Sequence, residues 1–458
     1  MTKVKNIIDE KKIFKIIKKT SKPKKEVILK ILKKASDKKG LKLEEVGYLL
    51  NTEDPKLIKE ICKIAGQIKQ DIYGERLVLF APLYISSFCI NDCEYCGFHR
   101  RNPDERKKLS IKEIEQEVKV LLDMGHKRLL LEFGEHPLNR IGDVVEAIKT
   151  IYKTKSKNGE IRRVNVNIAA TSVENYKKLK KVGIGTYQLF QETYHRETYS
   201  KMHDGPKADY ERQLFAHDKA FEAGIDDVGL GVLFGLYDYK FEVLSLISHG
   251  QYLDKKYGVG PHTFSVPRFQ PAPTVKMKTP YRVSDKDFLK IIAILRLAVP
   301  YTGMIISTRE TPKIRSRAFE IGISQASSGS ITTPGGYSEK ENSLKQFELG
   351  DHRDINQFLI DIIKQGLLPS FCTACYRKKR TGKAFMDMAK PGDIQNFCKP
   401  NAILTFKEYL EDYAQDKVRT EGEKLMNKYL EQIPNEKIKK GTKKRLKAIE
   451  RGKRDLYF

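Results

Sequence analysis

Six of the seven cysteines fall into two groups whose spacing suits metal binding. Cys89, Cys93 and Cys96 lie within the run SSFCINDCEYCGFHRRN, separated by three and then two residues. Cys372, Cys375 and Cys398 follow near the C-terminal end, separated by two and then 22 residues. Each group offers three thiolates. A structural zinc usually closes its shell with four protein ligands. A 4Fe-4S cluster held by three cysteines keeps one iron open for a substrate or cofactor. Two three-cysteine sites therefore point to two open iron sites, and so to chemistry. Cys62, alone on a predicted helix, reads as a small buried residue.

The elements that must position these groups alternate. Leu77–Pro82 reads as a buried strand running into the first cysteine loop. Further strands are predicted at Arg128–Phe133, Arg163–Ile168, Thr186–Phe190, Val228–Phe234, Thr263–Pro267, Gly303–Ser307 and Gly322–Gln325. Periodic apolar spacing predicts helices between them, at Ile111–Met124, Val144–Tyr152, Asp209–Ala223, Phe241–Tyr252 and Asp285–Ala298. Eight strands alternating with helices describe an α/β chain folded as a parallel (β/α)8 barrel of the TIM type. Three regions are expected: a helical N-terminal extension over 1–72, the barrel over 73–345, and a mostly helical C-terminal domain over 346–458 carrying the second cysteine group. The last 25 or so residues are expected to be frayed or loosely docked.

In such a barrel the active site gathers at the C-terminal ends of the strands. The cysteine loop, Gly134-Glu135, Glu192 and Arg309 all fall there. His262 precedes its strand, which predicts a position at the opposite end.

The chain carries a formal net charge of +27. Residues 1–40 hold 15 lysines against four acids, and residues 435–458 hold ten basic residues against three acids. The body between is only mildly basic. The excess reads first as solvated surface, then as a patch for an acidic partner such as a ferredoxin or flavodoxin, and last as a nucleic-acid surface. No run of about 18 apolar residues predicts a membrane span. The opening residues lack the apolar core of a secretory signal. A cytoplasmic, reducing compartment is expected, where cysteines serve more often as ligands than as disulfides.

The first spacing, on a loop after the first barrel strand, resembles the radical S-adenosylmethionine (SAM) superfamily. That resemblance implies a 4Fe-4S cluster on Cys89, Cys93 and Cys96, with SAM bound to its open iron and cleaved to a 5′-deoxyadenosyl radical. Tyr95 occupies the aromatic position before the third cysteine. Gly134-Glu135 resembles the glycine-glycine-glutamate segment that contacts the SAM amino group, with Phe133 in place of the first glycine. Glu192 and Arg212 resemble the SAM-contacting acid and base of the tyrosine-cleaving branch.

The second spacing resembles the HydG-type tyrosine lyase of FeFe-hydrogenase maturation. The runs GVGPHTFSVPRFQPAP, ISTRE and FCTACYRKKRTGKAFMDMAKPGDIQNFCKP carry the similarity, which covers roughly residues 70 to 420. It implies cleavage of the Cα–Cβ bond of L-tyrosine to p-cresol and dehydroglycine. It implies conversion of that fragment to carbon monoxide and cyanide at an auxiliary iron–sulfur cluster with an extra iron. The partners implied are L-tyrosine, a ferredoxin or flavodoxin electron donor and other FeFe-hydrogenase maturation proteins. His262 resembles the ligand of the extra iron. Arg309, with Ser324, Ser327 and Ser328 as further candidates, is expected at the tyrosine. The alternatives are 2-iminoacetate synthase of thiazole biosynthesis, which lacks the C-terminal three-cysteine site, and a two-cluster radical SAM methylthiotransferase acting on RNA, whose extra cluster normally precedes the barrel. A zinc-stabilised nucleic-acid-binding protein is the non-enzymatic alternative.

Overall fold

A computed structural model describes residues 7–157, 159–339 and 344–458. The first six residues of the expected N-terminal extension, and 340–343 beside the expected boundary at 345, lie outside the described residues. Eight parallel strands form the barrel: β1 Arg76–Ser86, β2 Arg128–Phe133, β3 Arg163–Asn167, β4 Tyr187–Gln188, β5 Val228–Gly231, β6 Thr263–Ser265, β7 Gly303–Ile306 and β8 Gln325–Ser327. Each pairs with the next, and β8 closes on β1 through Val78, Leu79 and Phe80. Strand β1 is buried along nearly its whole length, as expected of a parallel strand covered on both faces.

A ninth strand was not foreseen. Leu368–Ser370 (β9) pairs with Arg76–Val78, while Ala81–Ser86 of the same strand pairs with β2. The 11-residue β1 thus serves two neighbours on one edge. Its lower part draws the segment leading to Cys372 beneath the barrel.

Four N-terminal helices, Glu10–Lys19, Lys25–Ala35, Leu43–Leu50 and Pro55–Tyr73, bury one apolar face each in the main core. The predicted helix over Asp209–Ala223 is two, Tyr210–Leu214 and Ala216–Glu222. The last predicted strand lies later, at Gln325–Ser327.

The expectation of a loose C-terminal end is corrected. The helix Glu436–Glu450 buries Leu446 and Ile449. Beyond it, Arg454 Nε donates to Asp412 Oδ2 at 2.7 Å and the Phe458 amide donates to Asn401 Oδ1 at 2.8 Å. Arg377 pairs with Asp455, and Arg380 donates to the Phe458 carbonyl. Charge density had suggested solvation. Acceptors drawn from distant segments give these side chains partners instead.

Candidate active site with two cavities

The inward side chains of β1, β2 and β3 form layers, because every second residue of a strand faces the lumen. Tyr84 lies opposite Glu132, and Glu132 opposite Asn167, across three neighbouring strands. Two residues down β2 is Leu130, which meets Phe80 and Ile305 in a small apolar cluster. Two further down is Arg128, opposite Arg163. The barrel therefore holds a polar upper cavity and an arginine-rich lower one, with an apolar layer between.

Cys89, Cys93 and Cys96 line the upper pocket beside Gly134, Glu135, Glu192 and Lys207. A side-chain carbon on Gly134 would come within 2.2 Å of the Phe88 carbonyl oxygen, so only glycine lets β2 press against the cysteine loop. Phe133, at the position of the missing glycine, lines the same pocket. Asn91, not singled out in the sequence, donates from Nδ2 to Glu135 Oε2 at 2.8 Å and accepts the Lys207 amide at 2.7 Å. Tyr95 is buried, its hydroxyl 2.9 Å from His203 Nε2. Burial raises the Cys96 thiol to about 11, and it raises Cys93 as well.

Glu192 and Arg212, grouped in the sequence, take separate partners. Glu192 sits in the left-handed backbone region at φ +66° and its Oε1 lies 2.9 Å from Lys207 Nζ. A non-glycine residue held there is strained, a condition that concentrates at ligand sites. Arg212 pairs with Glu135 and also donates to the Ala170 carbonyl. Lys207 had no sequence signal; the fold alone brings it to Glu192.

Arg309 lines the lumen, with its guanidinium 3.3 Å from the Phe347 ring centroid. Among the described residues it makes no ion pair. Of the three serines expected near it, Ser327 lines the cavity and its buried hydroxyl has no hydrogen-bond partner. Ser324 does not line it; its Oγ accepts the Met304 amide at 3.1 Å. Ser328 is buried outside the lining, whereas Ser330, which was not foreseen, lines it.

The lower cavity joins residues from distant parts of the chain. Cys372, Cys375 and Cys398 line it with His262, Arg76, Arg128 and Arg163. His262 is at the N-terminal end of its strand, so the position predicted from sequence order is the one that brings it to the second cysteine group. Its Nδ1 lies 3.6 Å from Asp227 Oδ2, and burial lowers it to about 4, leaving the neutral imidazole that ligates metals. Arg128 donates to the Cys372 carbonyl at 2.7 Å. Arg76 Nε, Arg128 Nε, Arg163 Nη1 and Thr373 Oγ1 are buried without hydrogen-bond partners. Unpaired buried donors are costly, and so many around three cysteines fit an anionic group such as an iron–sulfur cluster.

Among the described residues, no three Cys, His, Asp or Glu side chains meet closely enough to hold a single metal ion.

Residues 83–247 match the Radical SAM superfamily, and 265–368 match the Biotin and Thiamin Synthesis associated domain. The 2-iminoacetate synthase of Salmonella typhimurium is 31% identical over 332 residues, covering 72% of this chain and 86% of that protein. A crystal structure of HydG, described as a maturase of the FeFe-hydrogenase, is 56% identical, with a TM-score of 0.97 over 99% of this chain and 100% of that one. The FeFe-hydrogenase maturase HydG from Carboxydothermus hydrogenoformans is 41% identical, with a TM-score of 0.85 over 95% of this chain and 97% of that one. The likeness to HydG thus spans both cavities, and the chain belongs to the radical SAM superfamily as a member of the HydG-type maturase family.

Proposed function

We propose that this protein is a radical SAM carbon–carbon lyase. It cleaves the Cα–Cβ bond of L-tyrosine to p-cresol and dehydroglycine. At a second iron–sulfur site it converts that fragment to carbon monoxide and cyanide for FeFe-hydrogenase maturation. The observation that carries this reading is the lower cavity, where three cysteines, a neutral histidine and three arginines share one barrel with a SAM-type cysteine loop.

Cys89, Cys93 and Cys96 would hold the 4Fe-4S cluster. When bound, cluster and SAM together would supply the radical chemistry that removes a hydrogen atom from the amino group of tyrosine. Glu135, fixed by Asn91 and Arg212, is suited to the SAM amino group. Arg309 is suited to the tyrosine carboxylate, since an arginine fork matches a carboxylate in a bidentate pair. Cys372, Cys375 and Cys398 would hold the auxiliary cluster, and His262 an additional iron. The layer of Phe80, Leu130 and Ile305 stands between the cavities as an apolar wall, which is suited to passing on a hydrolysable imine that must avoid bulk water.

A ferredoxin or flavodoxin as electron donor, exchange with other maturation proteins and a cytoplasmic location belong to this reading. Among the described residues no helix is long and apolar enough to cross a membrane. The 31% identical relative favours a second reading, 2-iminoacetate synthase. That reading leaves the lower cavity without a task.

Anaerobic turnover tests the proposal. The protein is reconstituted with iron and sulfide, then given SAM, L-tyrosine and dithionite. The reading expects p-cresol, cyanide and carbon monoxide together. p-Cresol alone would favour the synthase reading, and SAM cleavage without p-cresol would remove tyrosine as substrate.

A further inference from the structure

Two carboxylates line the lumen of the upper cavity that Arg309 also borders, Glu132 and Glu192. Glu192 is neutralised by Lys207. Among the described residues Glu132 makes no ion pair, and it borders both the lumen and the SAM-side pocket. It stands in one layer with Tyr84 and Asn167, on the strand between theirs. The Tyr84 hydroxyl is already engaged, donating to Gln346 Oε1 at 2.8 Å. Arg309, the other unpaired charge of the lumen, acts on Glu132 through the cavity. An unpaired guanidinium and an unpaired carboxylate in one cavity match an α-amino acid, whose carboxylate and ammonium sit on a single carbon. The Glu135 and Arg212 pair lies on the SAM side of Glu132, so the barrel has a place for a second amino acid.

We infer that Glu132 binds the ammonium of the substrate tyrosine and takes one of its protons, leaving the neutral amine from which hydrogen is removed. This rests on the tyrosine reading above. The step is a proton transfer: one ammonium N–H bond breaks, one Glu132 O–H bond forms, and no electrons change hands. An opposed ammonium and carboxylate become a neutral amine and a neutral acid, which suits a cavity lined by Phe80, Leu130, Phe190 and Ile305.

The charged and titratable groups facing Glu132 are Tyr84 from β1, Glu192 after β4, Lys207 from the loop beyond it and Arg309 after β7. Burial raises Glu132 to about 8, with Glu192 adding to the rise; the Asn167 amide, Arg309 and Lys207 oppose it. The carboxylate, the minor form at pH 7 and the major one above pH 8, is the form that accepts the proton, and its proton affinity is close to that of an α-ammonium, the match at which transfer in either direction is easy.

The test uses the reconstituted holoenzyme. Glu132→Gln should keep its iron, checked by iron content and the cluster's visible absorbance. It should release p-cresol about 100-fold more slowly at neutral pH. The deficit should shrink as the pH rises, because free tyrosine then arrives already as the amine. The wild-type kcat/KM for tyrosine should climb through an ionisation near pH 8, and in Glu132→Gln that rise should move to higher pH, to the ionisation of the free tyrosine ammonium. A binding readout is independent of turnover: the wild type should prefer tyrosine to 3-(4-hydroxyphenyl)propionate, which lacks the amine, and Glu132→Gln should lose that preference.

Equal p-cresol rates in both proteins would overturn the role of Glu132 while leaving the lyase intact. If Glu132→Gln does not load its cluster, the wild-type profile decides, and a flat profile across pH 7 to 9 sinks the proposal. Absence of p-cresol from the wild type at every pH would remove the tyrosine reading, and this role with it.

Discussion

The two ends of the barrel treat charge in opposite ways. In the upper cavity most charged side chains are already matched: Glu135 with Arg212, and Glu192 with Lys207. In the lower cavity Arg76, Arg128 and Arg163 face three cysteines, with Asp227 supplying the nearby carboxylate and several donors left over. A site built for zwitterions needs local charge balance. The anionic cluster and ligands proposed for the lower cavity would need a surplus of positive charge. The same strands supply both, because Arg128 and Glu132 are four residues apart on β2, roughly 13 Å along a strand. Separation along one strand, with Leu130 between, keeps each electrostatic environment from cancelling the other.

The sharpest way to break this comparison is to disable one end and read both products. Replacing Cys93 by Ala should take SAM cleavage and p-cresol below detection, and with them carbon monoxide. p-Cresol that persisted would sever the upper cavity from the chemistry. Replacing Cys375 by Ala should take carbon monoxide below detection while p-cresol continues near the wild-type rate. Loss of p-cresol in folded, SAM-cleaving protein would mean that the ends are not independent.

His262→Ala should lower carbon monoxide by about 10–100-fold, the range for losing one metal-site partner, with tyrosine cleavage unchanged. Quantifying both products in one reaction vessel checks this. The smallest effect is expected from removing Asp455–Phe458. That segment contacts Arg377 and Arg380, which follow Cys375. Its loss should cost about 1–3 kcal/mol of local stability and lower carbon monoxide modestly, without touching p-cresol. Equal product ratios before and after truncation would show that the tail stabilises the domain without tuning the site.

By itself the sequence determined the barrel and its chemical class. Apolar runs and helix periodicity placed β2 at the residues where it is found and the helix over Asp285–Ala298 at both its ends. Local spacing carried that information, because strand and helix periods are properties of neighbouring residues. Cysteine spacing marked the two cysteine groups that line the two cavities for the same reason. The tertiary structure decided who meets whom. No local signal brings Lys207 to Glu192, Arg212 to Glu135, or Asn91 between the cysteine loop and Glu135. Nor does any local pattern announce β9, whose three residues are a strand only because β1 offers a free lower edge. The docked tail is the plainest case: ten basic residues against three acids read as solvated, and only partners from elsewhere in the chain fix it, Asp412 accepting from Arg454 and Arg380 donating to the Phe458 carbonyl. Which of these charges is paired and which is left open is set by contacts between residues tens to hundreds of positions apart. That is why the open pair, Glu132 and Arg309, became visible only in the folded barrel.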